Sequence, residues 1–309
     1  MMVLLLALKI TFLGTSASIP TKKRGQVSIA VQRERDLLLF DAGEGVQRAI
    51  IESKIGFKRN MKIFISHLHG DHCLGLLGLL QTMAMMDRTD SLQIYGPNGI
   101  KKFISVNMEA LNFKLTFNLD INEIGEGIIY EELNYKIISC YASHSRKSLS
   151  YVLKENERPG IFYPEKALEL GIPKGELWSR IQNGETIVIK NKTIKPEKIL
   201  GPARKGIKIG ISGDTRPTNK LVKFFKDCNV LIFDSTFSDE LQDKAIETLH
   251  STAREAAKLA KEASVEQLIL NHISTRYAKP DILLKEALEE HSNVKVAEDY
   301  MIVNITNID

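Results

Sequence analysis

The chain has 309 residues, with 42 Lys or Arg against 38 Asp or Glu and a formal net charge of +4. This length allows one large core or two smaller ones, and the absence of any run of about 20 apolar residues argues against a membrane-spanning helix. The cysteines Cys73, Cys140 and Cys228 form an odd, unpatterned set. Such a set argues against a disulfide scaffold and for a reducing compartment, so we expect a cytoplasmic protein.

The first predicted elements are two strands and a helix. The N-terminal segment MMVLLLALKITFLG is apolar, and Lys9 is its only basic residue. Because it lacks the basic region of a signal peptide, we predict that it is a first strand. Further along, Lys62–Ser66 (KIFIS) predicts a buried strand, Gly70 a tight turn, and Leu74–Met86 a helix.

Residues 67–72, between this strand and this helix, read His-Leu-His-Gly-Asp-His. Neutral imidazole and carboxylate are ligands of zinc, and the lack of a thiolate argues against a purely structural zinc site. A lone histidine is more often a surface or core residue without a ligand role, but four candidate ligands in six residues favour a metal. Adjacent Asp71 and His72 cannot readily share one tetrahedral metal with both His67 and His69, so we predict two metals.

Further candidate ligands follow apolar runs that are rich in Ile, Leu or Val and predict mostly buried strands. If these strands lie side by side, their polar ends converge along one sheet edge, where we expect the metal site. Each histidine alone is equally typical of a hydrogen-bonded residue near a strand end, but the repeated placement favours a shared site. The runs and the residues they precede are Tyr135–Tyr141 before His144, Ile207–Ser212 before Asp214, Val230–Phe233 before Asp234, and Val265–Leu270 before His272.

Eight segments, in order along the chain, carry a family resemblance. They are FLGTSASIPT (12–21), LFDAGEGVQR (39–48), SHLHGDHCLGL (66–76), IYGPNG (94–99), ASHS (142–145), SGDTRP (212–217), HST (250–252) and HISTRY (272–277). The H-x-H-x-D-H motif by itself is typical of the whole metallo-β-lactamase superfamily. The opening segment with HST and H-x-S-x-R-Y is more specific, and with it the chain resembles the ribonuclease Z family over nearly its whole length.

The resemblance implies an α/β fold, a four-layer αββα sandwich in a single metallo-β-lactamase-like domain over residues 1–309. Within it, residues 154–208 would be an inserted flexible arm that binds tRNA. The implied activity is a zinc-dependent endoribonuclease that cuts precursor tRNA 3′ of the discriminator nucleotide and leaves a 3′ hydroxyl. A homodimer that does not act on DNA or bind membranes is also expected. The alternatives are a general phosphodiesterase or ribonuclease of the same superfamily, and a non-catalytic RNA-binding protein on a degenerate hydrolase fold.

The resemblance also implies a role for each candidate residue of the site. Asp71, besides binding a zinc, would accept the proton of the attacking water. His250 would donate a proton to the leaving 3′ oxygen. Asp234 stands where relatives often carry the glutamate of a HEAT motif, and would orient His250 or else cap the following turn. The implied ligands are His67, His69 and His144 for one zinc, Asp71, His72 and His272 for a second zinc, and Asp214 bridging both.

The candidate arm is the most basic part of the chain. From Lys154 to Lys208 there are 12 Lys or Arg against 7 Glu and no Asp. Positive charge of this kind attracts a phosphate backbone, although a solvated insertion gives the same composition. The family's G-x-P-x-G-P element is present as Gly171, Pro173 and Gly175, with Glu176 in place of the last proline.

Two further groups of residues are candidate substrate contacts. The loop that resembles the family's P-x-K-x-R-N element contains Lys22, Lys23 and Arg24, with Gly25 in place of Asn. In the family this loop helps to sense the nucleotides after the cleavage point, including a CCA end. Arg216 and Arg276 follow Asp214 and His272 closely, and their guanidinium groups suit phosphate oxygens. The alternative is that either arginine pairs with a nearby carboxylate and braces its loop; for Arg276 we favour phosphate contact.

Overall fold

A computed structural model describes residues 8–58, 60–144, 148–189 and 192–306. The part of the predicted first strand before Leu8, and Ser145 of the ASHS segment, lie outside these residues. The described residues divide into two compact units. The main unit comprises residues 8–154 and 208–306, and the inserted unit comprises residues 155–207.

The strands of the main unit form two mixed sheets. The described strands are β1 (Leu8–Gly14), β2 (Ser28–Arg33), β3 (Asp36–Phe40), β4 (Asn60–Phe64), β5 (Leu92–Gly96), β6 (Leu119–Glu123), β7 (Gly127–Glu131), β8 (Tyr135–Tyr141), β9 (Leu149–Glu155), β12 (Lys208–Ile211), β13 (Val230–Asp234), β14 (Gln267–Asn271), β15 (Val294–Val296) and β16 (Ile302–Ile305). The first sheet has the order β16-β1-β2-β3-β4-β5-β6, and the second has the order β15-β14-β13-β12-β9-β8-β7.

Each sheet is parallel on one side and antiparallel on the other. Strands β3 to β6 pair in parallel, as do β12 to β15. Parallel neighbours bring their carboxyl ends to the same edge of a sheet. The loops that carry the candidate ligands follow β4, β8, β12, β13 and β14, and the last four strands belong to the second sheet. The predicted convergence along one edge is therefore present, with β9 inserted between β12 and β8.

Helices cover the outer faces of both sheets. The helices of the main unit are α1 (Val46–Glu52), α2 (Gly70–Cys73), α3 (Gly75–Met85), α4 (Ile100–Ala110), α7 (Asn219–Phe224), α8 (Gln242–Glu247), α9 (Ala253–Glu262) and α10 (Asp281–Leu288). Leu39 of β3 shares a buried apolar cluster with Leu80 of α3. On the second sheet, Phe233 of β13 clusters with Ala256 of α9 and Leu283 of α10.

The two sheets pack against each other through aromatic side chains. Tyr151 of β9 lies with its ring 5.7 Å from that of Phe40 and 5.9 Å from that of Phe64, and its hydroxyl donates to the Ile65 carbonyl at 2.6 Å. Because side chains alternate along a strand, Phe40 faces the second sheet while Leu39 faces the helices. The layers are helix, sheet, sheet and helix, as expected for the αββα sandwich.

The inserted unit has a small apolar core of its own. It contains α5 (Pro164–Glu169), α6 (Glu176–Gln182), β10 (Ile187–Ile189) and β11 (Lys192–Ile194), and the two strands pair antiparallel. Its buried apolar residues are Ala167, Ile172, Ile181, Ile187, Ile194 and Ile199. The inserted unit begins and ends within one residue of the predicted arm. Its flexibility and its binding to RNA stay predictions.

No helix in the part of the chain that the structure describes is long and apolar enough to cross a membrane. The three cysteines are buried and free.

Candidate metal centre

The H-x-H-x-D-H motif lies at a tight packing point between β4 and α3. His69 precedes the short helix α2, and Asp71 and His72 lie within it. The backbone of His72 accepts a hydrogen bond from Ala42 N–H at 2.8 Å, which ties the motif to the loop after β3. A Cβ at Gly75 would lie 1.9 Å from the Gly43 carbonyl oxygen. Glycine is therefore needed there for α3 to begin so close to that loop.

The structure brings all seven predicted ligands together. Asp214 is almost fully buried and lies at the centre of the group. The distances from its Oδ2 to histidine Nε2 atoms are 3.6 Å for His67, 3.2 Å for His72, 3.9 Å for His144 and 3.4 Å for His272. On one side His69 Nδ1 lies 3.0 Å from His67 Nε2, and on the other side Asp71 Oδ2 lies 3.4 Å from His272 Nε2.

Two groups of donor atoms match the predicted division of ligands. His67, His69, His144 and Asp214 each offer an atom within 4.8 Å of the others, and so do Asp71, His72 and His272. The described residues also contain a third such group, formed by Asp214, Asp234, His250 and His272. That each residue binds a metal stays a prediction.

Hydrogen bonds to neighbouring groups turn the ligand nitrogens toward the centre. Asp41 Oδ2 accepts the Nδ1–H of His72 at 2.8 Å, and the Leu249 carbonyl accepts that of His144 at 2.9 Å. Thr236 Oγ1 donates to Asp234 Oδ1 at 2.6 Å. Having used its proton, this hydroxyl accepts the Nδ1–H of His272 at 2.8 Å. The Nε2 lone pair of each of the three histidines is thereby left free for a metal.

Asp41, Thr236 and Leu249 are functional candidates that sequence reasoning did not identify. Asp41 also accepts hydrogen bonds from the Ser66 backbone N–H at 2.7 Å and the Ser66 hydroxyl at 2.8 Å. Its φ of 58° is unusual for a residue other than glycine. Asp41 lies in the LFDAGEGVQR segment, and Thr236 lies two residues after the candidate Asp234, but neither had an assigned role.

Burial and neighbouring charges tune the cluster. Burial lowers the pKa of His67 well below its usual value, which keeps its imidazole neutral and able to ligate. Burial alone raises the pKa of Asp214, but His272 and His72 more than offset this effect and hold it well below its usual range. Asp214 is therefore an ionised carboxylate among imidazoles, a donor set typical of zinc.

The atoms of the centre are arranged as expected for a metal site. The facing nitrogens of His67 and His69 are 3.0 Å apart, and two lone pairs at this distance repel unless a proton or a cation lies between them. Asp214 Oδ1 is buried and has no hydrogen-bond partner in the described part of the chain. His72 Nε2 lies 3.2 Å from Asp214 Oδ2 but without hydrogen-bond geometry. These residues fit zinc.

Cys73, which follows the motif, is not suited to ligation. Its Sγ points to the His69 carbonyl oxygen at 3.3 Å, and burial raises the pKa of its thiol to about 12. A protonated thiol is a poor metal ligand. Cys73 therefore packs as a small buried residue beside the motif.

His250 and Asp234 form a pair beside the cluster. Asp234 Oδ2 lies 2.8 Å from His250 Nδ1, so the expected contact is made despite the shorter side chain. Burial lowers the pKa of His250, but Asp234 more than offsets this and raises it to about 9. The His250 ring stacks on that of His272, with centroids 5.0 Å apart. Since its Nδ1 is bound to Asp234, His250 has only Nε2 left for a further contact.

The loop with Lys22, Lys23 and Arg24 borders a cleft of about 600 Å³. Both lysines are exposed, whereas Arg24 donates to Thr15 Oγ1 and to the Ala297 carbonyl, each at 2.6 Å. Asp299 Oδ2 accepts the Gly25 backbone N–H at 2.6 Å and fixes the end of the loop. The two lysine side chains are thus accessible, while Arg24 mainly holds the loop in place.

The other substrate candidates have different surroundings. The Arg216 guanidinium is bound by the Glu255 carboxylate, which is the alternative to phosphate contact that the sequence left open. Arg276 lies over the Phe237 ring at 5.8 Å and donates to Ser274 Oγ at 3.1 Å.

The G-x-P-x-G-P element lies in the inserted unit. Gly171 and Gly175 have φ of 70° and 135°, which glycine adopts without strain. Pro173 lies between them. Glu176 is the first residue of α6, where a negative charge interacts favourably with the helix dipole.

Thr236 provides a test of how the ligands are held. We expect Thr236→Val to weaken zinc binding by about 10- to 100-fold, because valine cannot accept the Nδ1–H of His272. Thr236→Ser retains the hydroxyl and is the matched control. Competition with a zinc chelator measures the affinity of each variant. Equal affinity in the valine variant and the wild type would show that the orientation of His272 does not depend on Thr236.

Comparisons with known proteins agree with this geometry. A family model described as the anti-Pycsar protein Apyc1 matches residues 8–163. Ribonuclease Z of Nitrosopumilus maritimus is 50% identical over 298 residues, which cover 96% of this chain and 100% of that protein. Ribonuclease Z of Methanosarcina acetivorans is 42% identical over 299 residues, with 96% and 98% covered.

Solved structures share the fold. Human tRNase Z, short form, has a TM-score of 0.70 and 26% identity, with 96% of this chain and 98% of that chain covered. The metallo-β-lactamase fold protein YhfI of Bacillus subtilis, at 17% identity and a TM-score of 0.68 with 97% and 100% covered, supports the fold alone. The predicted fold and family are confirmed. The chain belongs to the sequence family of the Apyc1 model over residues 8–163 and, over nearly its whole length, to the ribonuclease Z family.

Proposed function

We propose that this chain is a zinc-dependent endoribonuclease that cuts precursor tRNA on the 3′ side of the discriminator nucleotide and leaves a 3′ hydroxyl. The observation that carries the proposal is the seven-residue cluster beside the His250–Asp234 pair, in a chain 50% identical to a ribonuclease Z over 298 residues. Donors of this kind suit two zinc ions, and the adjacent histidine suits proton transfer.

The proposed division of ligands follows the two donor groups. His67, His69 and His144 would hold one zinc, with Asp214 shared between both. Asp71, His72 and His272 would hold the second. When bound, the two cations supply Lewis-acid activation of a water and neutralise charge on the phosphodiester.

The remaining steps are proton transfers by residues of this chain. Asp71 Oδ2 is held by the backbone N–H of Ser18 at 2.8 Å and accepts the proton of the attacking water. His250 donates from Nε2 to the leaving 3′ oxygen. Asp234 accepts the Nδ1–H of His250 and so fixes which nitrogen faces the substrate. An alkoxide leaving group needs such a proton because it is strongly basic.

The charge of the inserted unit supports tRNA as the substrate. Residues 155–207 contain 10 Lys or Arg against 7 Glu, and cationic side chains bind a phosphate backbone without regard to sequence. We propose that this unit is the tRNA-binding arm, with Gly171, Pro173 and Gly175 in its turn. Lys22, Lys23 and Arg276 are proposed contacts for the RNA near the cleaved bond.

The family resemblance and the unpatterned cysteines support three further properties. We propose that the protein is a homodimer, that it acts in the cytoplasm, and that DNA is not its substrate. Light scattering on the purified protein measures its oligomeric state. Parallel assays with RNA and DNA of the same sequence measure whether DNA is cleaved.

The function is tested directly by cleavage of a precursor tRNA with and without a chelator. A product ending at the discriminator nucleotide with a 3′ hydroxyl, lost on chelation and restored by zinc, is the expected result. Hydrolysis of small phosphodiesters without tRNA cleavage would instead favour a general phosphodiesterase of this fold. RNA binding without any hydrolysis would favour a non-catalytic protein.

Replacing residues 155–207 with a short Gly/Ser linker tests the arm. Lys154 and Lys208 are partners in the antiparallel pair of β9 and β12, so a short linker can join them without disturbing the second sheet. We expect efficient cleavage of precursor tRNA to be abolished, while hydrolysis of bis(p-nitrophenyl) phosphate survives. Asp214→Ala in the shortened protein is the control for metal dependence.

The salt dependence of tRNA binding completes this test. Losing phosphate contacts lowers the affinity and flattens its dependence on salt concentration. If the shortened protein is folded, retains zinc and binds tRNA with an unaltered salt slope, the inserted unit is a solvated insertion and not an arm.

A further inference from the structure

Protein groups bind both terminal nitrogens of the Arg216 guanidinium. Its Nη1 donates to the His250 carbonyl at 2.6 Å and to Glu255 Oε2 at 2.7 Å, and its Nη2 donates to Glu255 Oε1. The two side chains are 17% and 12% exposed, so this forked ion pair is largely withdrawn from water. A phosphate that bound these same N–H groups would have to displace the Glu255 carboxylate.

Glu255 is itself fixed in the first turn of α9. Its Oε2 accepts the Thr252 backbone N–H at 2.9 Å, and Thr252 Oγ1 accepts the Glu255 N–H at 3.2 Å. This reciprocal arrangement is a capping box. Gln242 Nε2 adds a hydrogen bond to Oε1 at 3.2 Å. Glu255 therefore offers Arg216 a rigid anchor on a helix.

Arg216 also connects the three loops that carry Asp214, His144 and His250. Its backbone N–H donates to the Ser143 carbonyl at 2.9 Å, next to His144. Its guanidinium holds the carbonyl of His250, directly after Leu249, whose own carbonyl accepts the Nδ1–H of His144 at 2.9 Å.

The segment held in this way is strained. Leu249 has a φ of 59°, in the left-handed region that residues with a Cβ rarely adopt. Such a conformation persists when surrounding contacts enforce it. The bond from Arg216 to the His250 carbonyl is one of these contacts.

We propose that Arg216 and Glu255 form a positioning pair, which sets the place of the His250 ring relative to the metal-ligand loops. The pair touches neither substrate nor metal and acts through His250. This inference rests on the proposed function, in which His250 protonates the leaving oxygen. It replaces the phosphate contact that the sequence suggested for Arg216.

The test compares two leaving groups. A 3′ alkoxide needs a proton as it leaves, whereas p-nitrophenolate leaves readily without one. We expect Arg216→Met to lower kcat for precursor tRNA by about 10²-fold with little change in KM. Hydrolysis of bis(p-nitrophenyl) phosphate should change by no more than about 3-fold. Zinc content should stay at the wild-type level, because the contact with Ser143, next to His144, is made by the backbone N–H of residue 216 and is kept in the variant.

Arg254→Met is the matched control. Arg254 lies next to Glu255 on α9. It is bound by Asp239, Glu289 and Glu290, away from the loops that carry Asp214, His144 and His250. We expect it to leave both activities unchanged. Glu255→Gln should reproduce the selective loss, and Arg216→Lys should fall between wild type and Arg216→Met, because lysine keeps the charge but lacks the fork.

A double variant shows whether Arg216 acts through His250. If it does, Arg216→Met should cause almost no further loss of tRNA cleavage when added to His250→Ala, since the group that it positions is gone. If Arg216→Met does not fold, the same comparison is made with Arg216→Lys and with Glu255→Gln.

Other outcomes would overturn the proposal. An equal loss on both substrates, or a loss of zinc, would make the pair a general structural contact. A raised KM for tRNA with unchanged kcat would instead indicate that Arg216 contacts a substrate phosphate. If the wild type does not cut precursor tRNA, the proposed function fails, and the positioning role is then tested with an unactivated oligoribonucleotide in place of tRNA.

Discussion

Asp214→Ala is expected to lose more bound metal than any single histidine substitution in the cluster. Asp214 Oδ2 lies within 4.0 Å of the Nε2 atoms of four histidines, so its carboxylate is placed where it would serve both predicted metals. A single histidine serves one. We expect about two zinc ions per wild-type chain, and one or none in the variant, with cleavage of precursor tRNA reduced to background.

Elemental analysis of the purified proteins, before and after reconstitution with zinc, measures the number of zinc ions bound per chain. Asp243→Ala is the control, because Asp243 is exposed on α8 and outside the metal groups. One zinc ion per wild-type chain, unchanged on reconstitution, would rule out the two-metal arrangement. Greater metal loss in His72→Ala than in Asp214→Ala would show that Asp214 is not the ligand that bridges the two metals.

His250→Ala is expected to separate chemistry from metal binding. It should keep its zinc while turnover of precursor tRNA falls by about 10²–10⁴-fold, because general acid catalysis contributes this much. The His250 Nδ1 is already bound to Asp234 at 2.8 Å, which favours proton transfer over ligation. Hydrolysis of bis(p-nitrophenyl) phosphate should fall much less, since its leaving group needs little protonation.

The chain supplies a matched control for His250. Of its seven histidines, six lie in the centre and the seventh is His291, which hydrogen-bonds the Val265 carbonyl at 2.8 Å. His291→Ala should leave both zinc content and turnover near the wild-type level. If zinc and activity are lost together in His250→Ala, then His250 is a ligand, as the third donor group permits.

The family and the fold could be predicted from the sequence because they depend on local patterns. Short apolar runs that end in His or Asp predicted strands whose carboxyl ends carry ligands, and β8, β12, β13 and β14 have this form. The spacing of residues 67–72 placed four donors at one turn. Parallel neighbouring strands have their carboxyl ends at the same edge of a sheet. The loops that follow these strands therefore meet at the centre.

Several partners of the site could not be predicted, because they are chosen when loops from different strands pack together. Asp41 and His72 are 31 residues apart, Thr236 and His272 are 36 apart, and Arg216 and Glu255 are 39 apart. The sequence offered each group several possible partners, since a guanidinium suits a phosphate as well as a carboxylate.

The sequence by itself identified the residues that we propose carry the chemistry: the seven donors, His250 and Asp234. Only the tertiary structure decided what holds each of them in place, and it turned Arg216 from a candidate substrate contact into a partner of Glu255. The physical reason is that hydrogen-bond partners are set by distance and direction in space, to within a few tenths of an ångström. A pattern of residue types along the chain does not contain that information.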